Sequence, residues 1–151
     1  MEVAADSSKN DDFEEMLKVR ETDHQILVPF CLESQLGGVG RALDPAEVLW
    51  YHRQFDVQKS ENCRYLLHFE AVDYSTTVWV NGVLVGSHKG GFTPFEFDIT
   101  EAMGCFVDSD ASSPSRSIEL VVQVLDATGN FQARGKQSKK PYGIWYTRVS
   151  G

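Results

Sequence analysis

Asn81 and Gly82 stand between two β-branched runs, Thr76-Thr77-Val78-Trp79-Val80 and Val83-Leu84-Val85. No other feature of the chain restricts its fold so strongly. A type I′ turn needs φ > 0 at both central residues, which Asn and Gly accept, so the pattern predicts a tight β-hairpin. Strands of period two surround it. Tyr51, Phe55 and Val57 share a face with Arg53, while Trp50, His52 and Gln54 share the other. Tyr65, Leu67, Phe69 and Ala71 alternate through Cys63–Val72, as do Phe95, Phe97 and Ile99 with Glu96 and Asp98, and Ile118, Leu120, Val122 and Val124 follow. No helical crossover lies between these segments, so no βαβ unit can be drawn. The expected fold class is all-β, a jelly-roll-like two-sheet sandwich.

The flanks read differently. Residues 1–23 are polar and acidic, with Asp11, Asp12, Glu14 and Glu15 clustered and only Phe13, Met16 and Leu17 at helical spacing. So little apolar surface predicts a flexible arm with at most a helical turn. The sandwich is expected over residues 24–151. Ile26–Phe30 is a short apolar run whose Pro29 suits an edge or a bend. Leu36-Gly37-Gly38-Val39-Gly40 is a glycine-rich turn; it lacks the Gly-Lys-Ser/Thr ending of a phosphate loop, and no helix pattern follows. Asp108–Ser115 is a polar, low-complexity loop.

A formal charge of −8 and a pI near 4.9 repel phosphate, which argues against a nucleic-acid or anionic-membrane partner. No apolar run approaches the ~20 residues that span a bilayer. The first residues lack a basic and apolar leader pattern, so a cytoplasmic location is expected. Cys31, Cys63 and Cys105 have neither disulfide-framework nor zinc-site spacing. His24, His52, His68 and His88 do not pair at ligand spacing, and structural, partnered histidines are expected. No nucleophile elbow is present, and neither a metal nor a cofactor is expected.

Glu96 and Asp98 sit two apart on one strand, with Cα atoms roughly 6.5–7 Å apart. Glycoside hydrolysis uses carboxyl separations of about 5–9.5 Å, so spacing alone does not exclude the pair. Phe95, Phe97 and Ile99 claim the core side, however, which leaves the carboxylates on a solvated face. Residues 126–146 combine Asp126, Asn130, Gln132, Arg134, Lys136 and Gln137 with Phe131, Tyr142, Trp145 and Tyr146. Such a mixture suits sugars, whose hydroxyls meet polar groups and whose C–H faces meet flat rings. It equally suits a solvated loop whose aromatics fold back on the sandwich edge. Composition leaves both readings open.

The strings Val78-Trp79-Val80-Asn81-Gly82 and Gly86-Ser87-His88-Lys89-Gly90-Gly91-Phe92-Thr93-Pro94-Phe95 are more specific. With Trp50-Tyr51-His52-Arg53, Leu67–Tyr74, Asp126–Gln137 and Ile144-Trp145-Tyr146-Thr147, they resemble the N-terminal sugar-binding domain of glycoside hydrolase family 2. That family includes β-galactosidases, β-glucuronidases and β-mannosidases. The resemblance runs from about residue 24 to the end and implies a galactose-binding-domain-like sandwich beside a catalytic barrel. It implies that the 126–137 loop faces the active-site pocket, with Asp126 the leading contact to sugar or ion. Asn130, Arg134, Lys136, Gln137 and Trp145 are the accompanying sugar-binding candidates. The family's two catalytic glutamates lie in the barrel, so no residue here is assigned a catalytic role. The implied function is carbohydrate binding within hydrolysis of O-glycosyl bonds, with β-galactosides the first expected ligand and the barrel the expected partner. A C-terminally incomplete domain is the corresponding expectation. The alternatives are a free-standing lectin-like module and a non-functional gene fragment.

Overall fold

The computed structural model describes residues 1–6, 24–44, 46–58, 60, 63–104 and 115–126. Eight strands occupy them: β1 (Glu2–Asp6), β2 (His24–Gln25), β3 (Val48–Gln58), β4 (Leu66–Phe69), β5 (Ser75–Val80), β6 (Val83–Lys89), β7 (Phe95–Asp98) and β8 (Ser115–Leu125). They form two antiparallel sheets, one of six strands in the order β2-β1-β3-β8-β5-β6 and one of two, β4-β7. The β-sandwich expected from the alternation is the fold observed.

The turn at Asn81-Gly82 has φ of 49° and 80°, as a type I′ hairpin requires. Asn81 also bonds outward: its amide donates to the Ala102 carbonyl at 3.1 Å, and its Oδ1 accepts from Glu119 N–H at 3.0 Å. One residue thus turns the hairpin and ties it to β8 and to the turn after β7. The long partners β3 and β8 run side by side from Leu49↔Val124 to Gln58↔Ser115. Their alternation fixes which residues face inward. Leu49, Val78, Val80, Ile118, Leu120, Val122 and Val124 meet Ile99 and Met103 in the main core, with Tyr51, Phe55, Val57, Phe69 and Phe97 packed around it. On the opposite face of the large sheet, Val48, Trp50, Trp79 and Val121 form a second cluster, with the two indole rings 5.7 Å apart.

The N-terminus departs from the expected arm. Glu2–Asp6 pairs antiparallel with both β2 and β3, and Val3 is 1% exposed in the main core. Residues 7–23, which carry the acidic cluster, lie outside the described residues. The apolar run after Ile26 is a turn, not a strand: Ile26 is buried, while Leu27, Val28 and Phe30 are exposed. The glycine-rich stretch holds a 3-10 turn at Gln35–Gly37, closed by Gly38 in the left-handed region.

The small sheet is knitted by aromatic rings. Phe69 stacks on Phe95 at 4.8 Å, Phe97 meets both edge-on, and His88 stacks on Phe95 at 4.2 Å. Gly86 on β6 makes room for this layer, because a Cβ there would overlap the Phe97 ring. The motif glycine is therefore a packing device between the two sheets.

Candidate functional site

Among the described residues, the small sheet covers only part of the large sheet's inner face. Beside it a cavity of about 480 Å³ opens between β3 and β8 on one side and β4 with its following loop on the other. Its apolar floor is core: Leu32, Leu43, Leu49, Val122 and Val124 all line it. Its polar rim comes from separate stretches of chain: Glu33 after the Ile26–Phe30 turn, Tyr51 on β3, His68, Glu70 and Asp73 on and after β4, and Asp126 at the end of β8. An apolar floor with a few convergent polar groups is the usual make-up of a small-molecule site.

Asp73 stands out chemically. Burial raises the pKa of its carboxyl above the ordinary value, and no opposing cause accompanies it. No hydrogen bond or ion pair to Asp73 is found among the described residues. A half-buried carboxylate is an acceptor that favours donors. Gly91 positions it, since a Cβ there would overlap the Asp73 carboxyl group. The two motif glycines thus have distinct tasks: Gly86 admits a phenyl ring and Gly91 admits an acid.

Tyr51 lies across the cavity. Burial first, then the Glu33 charge and Cys31 nearby, push its phenol up to about 12. Tyr51 therefore stays a neutral donor and acceptor throughout the physiological range. His68 is turned to the neighbouring strand, with Nδ1 3.0 Å from Glu96 Oε2, across the register pair His68↔Glu96.

The other sequence candidates resolve as follows. Asp126 lines the cavity. Asn130, Arg134, Lys136, Gln137 and Trp145 lie outside the described residues. Glu96 and Asp98 have structural partners on the exposed side of β7. Asp98 accepts from the Thr100 hydroxyl and N–H and from Arg64, which hold its pKa at about 2. His52 lies between Glu119 at 3.0 Å and Glu2 at 3.4 Å, and His88 contacts Thr93 Oγ1 at 3.2 Å. Among the described residues no group of three or more His, Cys, Asp or Glu is arranged to hold a metal ion. No helix among them is long and apolar enough to cross a membrane.

Tyr51, Asp73, Glu33 and Glu70 were not singled out from sequence as site residues. The alternation placed Tyr51 on the face opposite Trp50, but its place at the cavity depends on how far the small sheet extends. Asp73 had one usable signal: an acid immediately after the apolar end of a strand, at Val72-Asp73.

Among the described residues these features define a two-layer antiparallel sandwich with a polar-rimmed cavity beside its smaller sheet. Residues 41–111 match the family described as glycosyl hydrolases family 2, sugar binding domain. Among curated proteins, a β-galactosidase of Thermoanaerobacter pseudethanolicus is 51% identical over 55 residues, 36% of this chain and 7% of that enzyme. A β-galactosidase of Thermoanaerobacterium thermosulfurigenes is 49% identical over 87 residues, 56% of this chain and 11% of that enzyme. A solved β-glucuronidase structure from Ruminococcus gnavus aligns over 52% of this chain and 12% of its own, at 26% identity and a TM-score of 0.43. The match to the glycosyl hydrolase family 2 sugar binding domain takes in β3 through β7 of this sandwich. The matched segments span only 7% and 11% of the two β-galactosidases' lengths.

Proposed function

We propose that the cavity beside β4 is the carbohydrate-binding site of this domain, and that the domain serves hydrolysis of terminal β-glycosides, galactosides first. The observation that carries the reading is the half-buried Asp73 carboxylate, a hydrogen-bond acceptor within a cavity that Tyr51 and Asp126 also line. A pyranose offers the complement. Its hydroxyls donate to carboxylates, and its C–H faces suit an apolar floor such as Leu49, Val122 and Val124. Asn130, Arg134, Lys136, Gln137 and Trp145 are proposed as further contacts, on the family resemblance of their segment. The bond-breaking step needs a pair of carboxylates in a defined geometry, and the proposal assigns that pair to the partner barrel of the family rather than to these residues.

Calorimetric titration of the purified 151-residue chain with p-nitrophenyl β-D-galactoside tests the reading. Saturable binding that weakens at least tenfold in Asp73→Ala and Asp126→Ala is the expected result. No binding to galactoside, glucoside or mannoside removes it.

A further inference from the structure

We infer that the carbohydrate site proposed above, on which this inference rests, extends past the cavity to a second subsite, where Phe92 stacks on the next pyranose of a β-linked disaccharide. Phe92 is 81% exposed, the most exposed large apolar side chain among the described residues. An isolated apolar group at a surface is ordinary. This one is informative because of where its backbone is held. Phe92 follows Gly91, whose backbone abuts the carboxyl group of Asp73, and Asp73 lines the cavity. The backbone of Tyr74 ties the neighbouring loops together: its N–H donates to the Leu125 carbonyl at 3.3 Å, and its own carbonyl accepts from Gly90 N–H at 2.8 Å. Leu125 precedes Asp126, another lining residue. Three stretches of chain, 73–74, 90–92 and 125–126, therefore meet at this end of the cavity.

The loop that carries Phe92 is itself constrained. Gly90 has a φ of 130°, a conformation that side chains rarely adopt. Thr93 Oγ1 lies 3.2 Å from His88 Nε2, and Pro94 fixes the backbone on its way into β7. A ring on such a loop has little freedom left to lose when a ligand arrives, which favours binding. A pyranose supplies the complement. The face of a phenyl ring is electron-rich, and the C–H groups on one face of the sugar form an apolar, weakly positive patch that fits against it. Contact of this kind involves no net charge, so it is independent of how the acids around the cavity are compensated. The cavity holds one sugar, and Phe92 meets the sugar joined to it.

The test compares methyl β-D-galactoside with lactose, which replaces the methyl group by a second pyranose. Calorimetry on the whole chain is expected to give a lactose Kd at least ~5-fold lower, equivalent to about 1 kcal/mol. Half-molar salt is expected to leave that ratio in place, since stacking on a neutral ring is not screened. Phe92→Ala is expected to bring the ratio to about one while the methyl galactoside Kd and the melting temperature hold, because the side chain is exposed. Phe92→Tyr is expected to keep the ratio, and Phe92→Leu, which is apolar but not flat, to lose it. Equal affinity for the two ligands in the parent chain overturns the second subsite and leaves the carbohydrate reading standing. A Phe92→Ala variant that weakens both ligands alike, or neither, also overturns it, as does full retention of the ratio by Phe92→Leu. Failure of both ligands to bind overturns the carbohydrate reading and this inference together.

Discussion

Among the described residues, the space between the two sheets is filled at one end and open at the other, and the two ends are built from opposite materials. Under the small sheet, Phe69, Phe95 and Phe97 interlock, with Phe97 reaching toward Gly86 on the facing layer. Beyond β4, the same inner face of β3 and β8 looks onto a cavity rimmed by acids and a phenol. Stability is concentrated where rings replace water. Recognition has room where they do not. A sandwich closed along its whole length would bury more apolar surface but leave no concave site.

The comparison can be broken by mutation. Phe97→Ala at the filled end removes a ring held by two others and is expected to cost about 3 kcal/mol, the low end for phenylalanine because the ring is only partly buried. Gly86→Ala drives a methyl into that ring and is expected to cost about 2 kcal/mol by overpacking. At the open end, Leu43→Ala enlarges a cavity that already exists and is expected to cost no more than about 2 kcal/mol. Denaturant midpoints of the three variants check this order. A Leu43→Ala loss larger than that of Phe97→Ala would mean that the cavity end carries the fold.

The two perturbed aspartates sharpen the contrast with opposite signs. Asp98, held at about 2 by Thr100 and then Arg64, is a depressed carboxyl. Its contribution is complete above the unfolded value near 3.9 and is lost as pH falls toward 2. Asp73 is a raised carboxyl. Its contribution is present at low pH and is lost as pH rises through its folded pKa. At pH 7, Asp98→Asn is therefore expected to lower the melting temperature and Asp73→Asn to raise it slightly. Both differences should shrink in acid. An acid retained against stability is common at binding sites.

Much of the sandwich was legible because its strands are long and regular. Asn81-Gly82 predicted the β5–β6 hairpin, and the alternation in Trp50–Val57 placed Trp50 and Tyr51 on opposite faces. The arm at 1–23 was a different case. Glu2-Val3-Ala4-Ala5-Asp6 has one strongly apolar side chain, Val3, and its pairing with β3 spans some fifty positions that local pattern does not report. The cavity was less legible still. Glu33, Tyr51, Asp73 and Asp126 converge only after the two sheets have stacked, and no spacing in the chain foreshadows their meeting. Asp126 came into view through family likeness. Tyr51 was read only as a member of one strand face, because the sequence does not say where the core stops.

Backbone amide shifts, followed by NMR during titration with a β-galactoside, test the central claim most directly. The account predicts saturable shifts confined to the cavity rim, at Glu33, Tyr51, Glu70, Asp73 and Asp126, while Phe95 and Phe97 stay still. Shifts clustered on the opposite face around Trp50 and Trp79, or none at saturating sugar, would contradict it.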